Sequence, residues 1–265
     1  MVSPAGPVAL LTDFGLRDPY VGVMKGVILG LCPGATIVDL SHEVDPQDVA
    51  GASFLLSQSY RYFPEGTVLV AVVDPGVGSD RPVVALEAAG RRFLAPDNGL
   101  LGFLARSETL RRIIRVENDR FFLNPVSRTF HGRDIFAPVA GHLLRGIDLG
   151  ELGPAMTRIG ELPLRDPRPD PRGGWVGTIV SIDRFGNLVT NIPGDRLGSP
   201  EQAQVKVARS VIRGISPTYA ATRKGSLLAI VGSTGALEVS VNHGDARKKT
   251  GAKIGDPVRV RGTRR

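Results

Sequence analysis

The sequence holds a single cysteine, Cys32, in 265 residues, which excludes an internal disulfide and any metal site built from several thiolates. Its four histidines, His42, His131, His142 and His243, show no HxxxH or HExxH spacing, so a zinc hydrolase has little support and no metal is expected. There is no Gly-x-Ser-x-Gly elbow, no Walker loop and no GxGxxG spacing, which leaves an esterase nucleophile and a phosphate cradle without a signature. Long apolar runs are also missing. The first one stops at Asp13 and follows no basic leader, so neither a signal peptide nor a membrane span is expected, and the protein reads as cytoplasmic with no membrane partner.

Acidic residues are outnumbered, 26 against 33 basic ones, for a net charge of +7. The basic residues are scattered, with short clusters such as Arg111 and Arg112, 247–249 and 259–265. This reads as a solvated surface rather than a nucleic-acid groove. With 42% hydrophobic and 22% charged residues, the chain is ordinary globular material long enough for two cores.

What is present is a change of grammar along the chain. Val8 to Thr12, Ala35 to Leu40 and Gly66 to Val73 read as strands, and two Asp-Pro pairs, Asp18-Pro19 and Asp45-Pro46, read as helix starts between them. The first helix is expected to bury Tyr20, Met24, Val27, Ile28 and Leu31, and the second to run to about Tyr62. Strand, helix, strand, helix, strand predicts a mostly parallel sheet with helices on both faces. A hairpin around Gly90, a short helix opened by Asp97-Asn98-Gly99, a strand near Ile113 to Val116 and a helix lined by Ile135, Val139 and Leu143 follow.

Leu162 to Gly174, with four prolines, reads as a linker. Beyond it come valine-rich strands at 175–182, 188–192, 205–212, 226–231, 236–241 and 257–260, the pattern of a smaller all-β barrel-like domain. The expected domains are therefore an α/β catalytic domain over 1–165 and a β-barrel-like domain over 175–265.

Candidate chemistry sits at strand ends. Val73 to Arg81, VDPGVGSDR, follows a buried strand, and Pro75, Gly76 and Gly78 favour a tight turn that lets the Asp74 carboxylate face the Arg81 guanidinium. The alternative is an Asx-turn beside a solvated arginine. His131 stands near a helix N-terminus, where the dipole disfavours its charged form; it serves either catalysis or the helix entry. Asp13 at the first strand end has the geometry to grip ribose hydroxyls or to cap a helix. Asp183 to Asn187, taken in isolation, reads as a plain hairpin turn.

Taken together, TDFG at 12–15, DLSHEVDPQDV at 39–49, VDPGVG at 73–78, APDNG at 95–99, FHGRDIFAP at 130–138 and DRFGNLVTNI at 183–192 resemble the S-adenosylmethionine hydroxide adenosyltransferases. These are the hydrolytic relatives of the enzymes that make 5'-fluoro- and 5'-chloro-adenosine. The resemblance covers both domains, from about Leu10 to Asn242.

It implies hydrolysis of S-adenosylmethionine to adenosine and L-methionine, with the molecule as substrate and no cofactor. It assigns water activation to Asp74, Arg81 and His131, and the ribose grip to Asp13 with Phe14 beside it. It places Asp18 and Asp183 near the methionine ammonium, Asn187 at the adenine edge and Phe185 and Tyr219 as apolar walls. Ser233 would meet the methionine carboxylate, with Glu238 and Asn242 on the strand that follows. The halogenating members have an extra residue between the positions of Asp183 and Phe185, an arginine after the serine, and an aromatic where Gln47 stands here. They also carry a neutral side chain in place of Asp74, so hydrolysis is favoured over halide transfer. The resemblance further implies a homotrimer with each site at a subunit interface. A protein that binds adenosine or S-adenosylmethionine without turnover is the alternative of another class.

Overall fold

The computed structural model describes residues 6–105, 107–162 and 166–262. They form two compact units that divide after Leu162.

The first unit is built on strands β1 (Val8–Thr12), β2 (Ile37–Ser41), β3 (Val68–Val72), β4 (Val83–Ala88), β5 (Arg91–Pro96) and β6 (Leu110–Arg115), in the sheet order β2-β1-β3-β5-β4-β6. The first four in that order run parallel, while β4 runs antiparallel to both β5 and β6. Helices α1 (Tyr20–Leu31), α2 (Val49–Ser59) and α3 (Ala137–Leu144) cover the sheet. Period-two alternation decides which face each residue serves. Val8, Leu10, Val68, Val70 and Val72 pack with Met24 and Ile28 of α1 and Val139 and Leu143 of α3. Ala9, Leu11, Leu69 and Ala71 pack with Ala52 and Leu56 of α2. Burial on both faces is why these strands read as continuous apolar runs.

Two features of this sheet position the site. β1 and β3 are neighbours in register, with Thr12 opposite Val72, so both chains leave the sheet side by side. β2 carries an extra residue, since Leu10 pairs with Asp39 but Leu11 pairs with Ser41. Such a bulge twists the strand and re-aims the side chains beyond it.

Several local expectations are corrected. Asp18 does not cap α1: Pro19 occupies that position with helical backbone angles and no side-chain cap bond. The buried face of α1 is Val21, Met24 and Ile28, while Tyr20 is exposed and edges against Phe130 at 5.0 Å. The second helix starts later than Asp45-Pro46, because Asp48 caps it by accepting from the Gly51 amide. Gln47 has φ 67, a left-handed conformation that no helix continues through. The helix ends at Ser59, and Tyr60–Tyr62 forms a 3-10 turn. Asp97-Asn98-Gly99 leads only into the 3-10 turn Gly102–Leu104. The segment after His131 is one π-helical stretch, Gly132–Phe136, which passes into α3.

The second unit contains β7 (Arg168–Pro169), β8 (Trp175–Ile182), β9 (Leu188–Pro193), β10 (Gln204–Val207), β11 (Ser210–Arg213), β12 (Leu227–Val231), β13 (Ala236–Val241), β14 (Pro257–Arg261) and the short helix α4 (Ala246–Thr250). The order β11-β10-β14-β8-β9-β13-β12 is antiparallel throughout, and the end strands β11 and β12 approach each other, which makes the sheet barrel-like. Ile179, Leu188, Val205, Val239 and Val258 meet in its core. The run expected as one strand over 205–212 is a hairpin, turned at Ala208 with φ 48. Part of the expected linker is also sheet, since β7 pairs with β8; residues 163–165 lie outside the described ones.

Candidate active site

The loop after β3 closes on itself. The Val77 amide donates to the Asp74 carbonyl at 3.2 Å, and the Ser79 hydroxyl donates to the Gly76 carbonyl at 2.6 Å. Gly78 has φ 80 and lies so close to the Arg128 carbonyl that a side chain there would collide with it. Upstream, the Asn98 amide donates to the Val73 carbonyl at 2.9 Å and steadies the strand end.

This turn brings Arg81 back over Asp74 as a two-pronged fork. Nε donates to Oδ1 at 2.8 Å and Nη2 donates to Oδ2. Both side chains are largely removed from solvent, 5% exposed for Asp74 and 11% for Arg81. The alternative of a solvated arginine beside an Asx-turn is therefore set aside. The same Nη2 stands 3.1 Å from Nδ1 of His131. Burial, and then the Arg81 charge, holds the His131 pKa below its usual 6.5, against the opposing pull of Asp74, Asp134 and a backbone hydrogen bond to Ser127. A neutral ring facing Arg81 with Nδ1 accepts, so His131 anchors the far side of the guanidinium.

Asp13 leaves β1 next door. Its Oδ2 accepts the Gln47 amide at 2.8 Å, which is the use made of the left-handed backbone at Gln47. Phe14 forms an aromatic cluster with Tyr20 and Phe130, at centroid separations of 5.8 and 6.0 Å. Gly132, beside His131, is packed so tightly that an added Cβ would lie 3.2 Å from Phe14 and 3.1 Å from Met24. Asp18 is exposed on the same loop.

In the second unit, Asp183 organises its own turn. Oδ1 accepts the amides of Phe185 and Asn187, each at 2.9 Å, and Oδ2 accepts the Asn187 side-chain amide at 2.8 Å. The hairpin-turn reading of 183–187 is thus correct structurally, and the carboxylate keeps further lone pairs for a ligand. Phe185 projects from the turn, 74% exposed.

Glu238 is buried on β13, where Oε1 accepts from the Tyr219 hydroxyl at 2.8 Å and from the Ser240 hydroxyl at 2.6 Å. Burial and the hydrogen bond to Glu238 push the Tyr219 pKa up to about 12, with further contributions from the charges of Glu238 and Asp183. Tyr219 therefore carries a firmly held, hydrogen-bonding hydroxyl as well as a ring. Asn242 lies just past β13 and donates to the Thr222 carbonyl at 2.6 Å, tying down the turn that carries Tyr219. Ser233 is exposed at the tip of the β12–β13 hairpin, next to Gly232, which packs against Glu238.

The structure thus gathers Asp74, Arg81 and His131 directly. Asp13 and Phe14 stand on the neighbouring loop, and Asp183, Asn187, Tyr219 and Glu238 belong to the second unit. Asn98 and Ser240 hold no role predictable from sequence chemistry alone, although Asn98 lies in the APDNG motif and Ser240 follows Glu238 at the period of one strand face. Among the described residues, no group of three or more His, Cys, Asp or Glu is placed to hold a metal, and no helix is long and apolar enough to cross a membrane.

Polar groups gathered where parallel strands end, in an open sheet covered on both faces, define an α/β enzyme site. Models of the SAM hydroxide adenosyltransferase N-terminal and C-terminal domains match residues 8–153 and 177–259. The chain belongs to that family. It is 40% identical to a protein of Thermus thermophilus named (R)-S-adenosyl-L-methionine hydrolase, over 96% of this chain and 99% of that one. A protein of the same name from Salinispora tropica is 36% identical over 98% and 99%. A protein of Actinoplanes sp. named fluorinase is more distant, 30% identical over 89% and 90%. The crystal structure of an uncharacterized conserved protein from Thermotoga maritima superposes with a TM-score of 0.89 at 37% identity, covering 96% of this chain and 99% of that one.

Proposed function

We propose that the protein hydrolyses S-adenosyl-L-methionine to adenosine and L-methionine. Water attacks ribose C5' in line with the sulfonium: the O–C5' bond forms, and the C5'–S bond breaks with its electron pair passing to the methionine sulfur. The attacking water gives up one proton. Methionine is a good neutral leaving group, so the enzyme has chiefly to orient the water and accept that proton. The names of the curated relatives support the (R) sulfonium epimer as the preferred substrate, a distinction the sequence reading did not draw.

The observation that carries this reading is the forked contact of Arg81 on Asp74. Each carboxylate oxygen gives one lone pair to the fork and retains another, so Asp74 accepts from water in a fixed plane. His131 holds the outer side of the guanidinium. Arg81 balances the charge of Asp74, so halide is not excluded by net charge; hydrolysis is favoured because a water donates to the carboxylate and a halide has no proton to donate. Asp13 takes the ribose hydroxyls beside Phe14. Asp18 and Asp183 face the methionine ammonium, Asn187 reads the adenine edge between Phe185 and Tyr219, Ser233 meets the methionine carboxylate, and Glu238 and Asn242 support this second half. No cofactor is required. We extend the reading to a cytoplasmic homotrimer in which the first unit of one subunit meets the second unit of another.

The test is to incubate the purified protein with each sulfonium epimer, with and without chloride, and to follow products by chromatography. The expected result is equal adenosine and methionine, more from the (R) epimer, unaffected by chloride. Asp74→Ala should abolish turnover while adenosine still binds in calorimetry. Adenosine binding without product would leave a binding protein, and 5'-chloro-adenosine would move the chain to the halogenating branch.

A further inference from the structure

His42 is among the few buried polar residues of the first unit, 3% exposed, and no step of the proposed chemistry uses it. It nevertheless makes contacts in two directions. Nδ1 lies 2.8 Å from the Thr12 hydroxyl, and Nε2 lies 3.0 Å from Oδ1 of Asp39. Asp39 is held in turn by Lys25, whose Nζ donates to Oδ2 at 2.6 Å. The register shift in β2 falls between Asp39 and Ser41, and just past it the ring of His42 meets Asp39 with one nitrogen and Thr12 of β1 with the other.

What lies at the other end of this chain is the loop that carries Asp13. The Thr12 hydroxyl oxygen accepts the Phe14 amide at 3.2 Å, and the Gly15 amide donates to the His42 carbonyl at 2.8 Å. With the Gln47 amide on Asp13, the segment from His42 to Gln47 grips the 12–15 loop at three points. Thr12 itself is fully buried, so its hydroxyl does not exchange these partners for water.

We propose that Thr12, His42 and Asp39 form a positioning relay that fixes the Asp13 carboxylate and Phe14 for the nucleoside. A carboxylate only accepts, so Asp39 selects the tautomer with the proton on Nε2. Nδ1 then accepts the Thr12 proton. That commits the Thr12 lone pairs to the Phe14 amide and sets the direction in which the loop leaves β1. The relay touches no substrate atom; it acts through Asp13. The inference rests on the ribose grip assigned to Asp13 above.

The closing experiment compares Thr12→Val, which keeps shape and loses the hydroxyl, with Thr12→Ser, which keeps the hydroxyl. KM and kcat are read with S-adenosylmethionine, and Kd is read with adenosine by calorimetry. The relay predicts that Thr12→Val weakens KM and adenosine Kd by about tenfold, the scale of a lost buried hydrogen bond. It also predicts that kcat changes little and that Thr12→Ser recovers most of the loss. Asp39→Ala, at a site with a 41% exposed side chain that tolerates truncation, should give the same KM-weighted effect in smaller measure. Thr12→Val and Asp39→Ala both matching wild type in KM and Kd would overturn the relay while leaving hydrolysis intact. Equal losses in Thr12→Val and Thr12→Ser would do the same. Wild-type adenosine binding without turnover would sink the hydrolase reading alone, with the relay still decided by Kd. A wild type that binds no adenosine would overturn both.

Discussion

One nitrogen of Arg81, Nη2, serves two residues: it donates to Oδ2 of Asp74 and faces Nδ1 of His131 at 3.1 Å. The guanidinium is therefore held from both sides, and the orientation of the carboxylate depends on a fork that only arginine offers. Arg81→Lys should retain the charge and lose the plane. We expect kcat to fall about 100-fold, the scale of a misplaced reacting group, with KM changed far less. Steady-state kinetics check this, and a kcat within twofold of wild type would show that charge alone suffices.

The same contact sets a pH dependence. Burial and the Arg81 charge lower the pKa of His131, and burial and Arg145 lower that of His142, from an ordinary value of 6.5. Below 6.5 the unfolded chain therefore binds these protons first, so stability is complete above that pH and declines as the pH falls through the folded values. Protonating His131 also places a cation against Arg81 and removes its acceptor. Urea midpoints should hold steady above 6.5 and drop below it. The acid limb of kcat/KM should have its midpoint under 6.5, and a midpoint above that would contradict the assignment.

Gly78→Ala tests the loop. The residue would have to keep φ 80 and place its Cβ against the Arg128 carbonyl, a backbone group that cannot swing aside. A cost of about 1–3 kcal/mol is expected from the backbone alone, with kcat falling as the 74–81 turn shifts. Gly146→Ala is the comparison, because φ is 90 there but the space is open. It should lose stability and keep kcat. Thermal denaturation and kinetics on the pair separate conformation from collision.

Tyr219→Phe leaves Glu238 with Ser240 as its remaining hydroxyl donor. Since the phenol pKa is pushed up to about 12, Tyr219 keeps its proton and goes on donating it to Glu238 across the working range. Its loss should cost about 1 kcal/mol of stability and weaken adenosine binding. Calorimetry at neutral pH reads both, and unchanged adenosine affinity would remove Tyr219 from the binding wall.

The sheet and the Asp74–Arg81 pair were legible because each rests on local chemistry. Alternating apolar residues in β1 and β3 serve two cores, and Pro75, Gly76 and Gly78 within a seven-residue interval leave the turn few alternatives. Asp45-Pro46 satisfies the helix-entry pattern and so predicts α2 too early, whereas Gln47 adopts a left-handed backbone and presents its amide to Asp13. Tertiary need overrode propensity there. The hairpin at 207–210 has no sequence signal, because Ala208 carries no turn signature. Asp39 is three residues from His42, but Thr12 reaches it only because the sheet order sets β1 beside β2, and no spacing in the chain encodes that.

The pairing of Thr12 with Val72 fixes a distance as well as a direction. Asp13 and Asp74 emerge from adjacent strands, whose separation of about 4.8 Å is fixed by backbone hydrogen bonds rather than by flexible side chains. On the proposed reading, the enzyme carries a rigid gauge, with the ribose diol at one jaw and the attacked carbon at the other. An analogue lengthened by one methylene between ribose and sulfonium would be gripped normally and would present the wrong carbon, behaving as an inhibitor instead of a slow substrate.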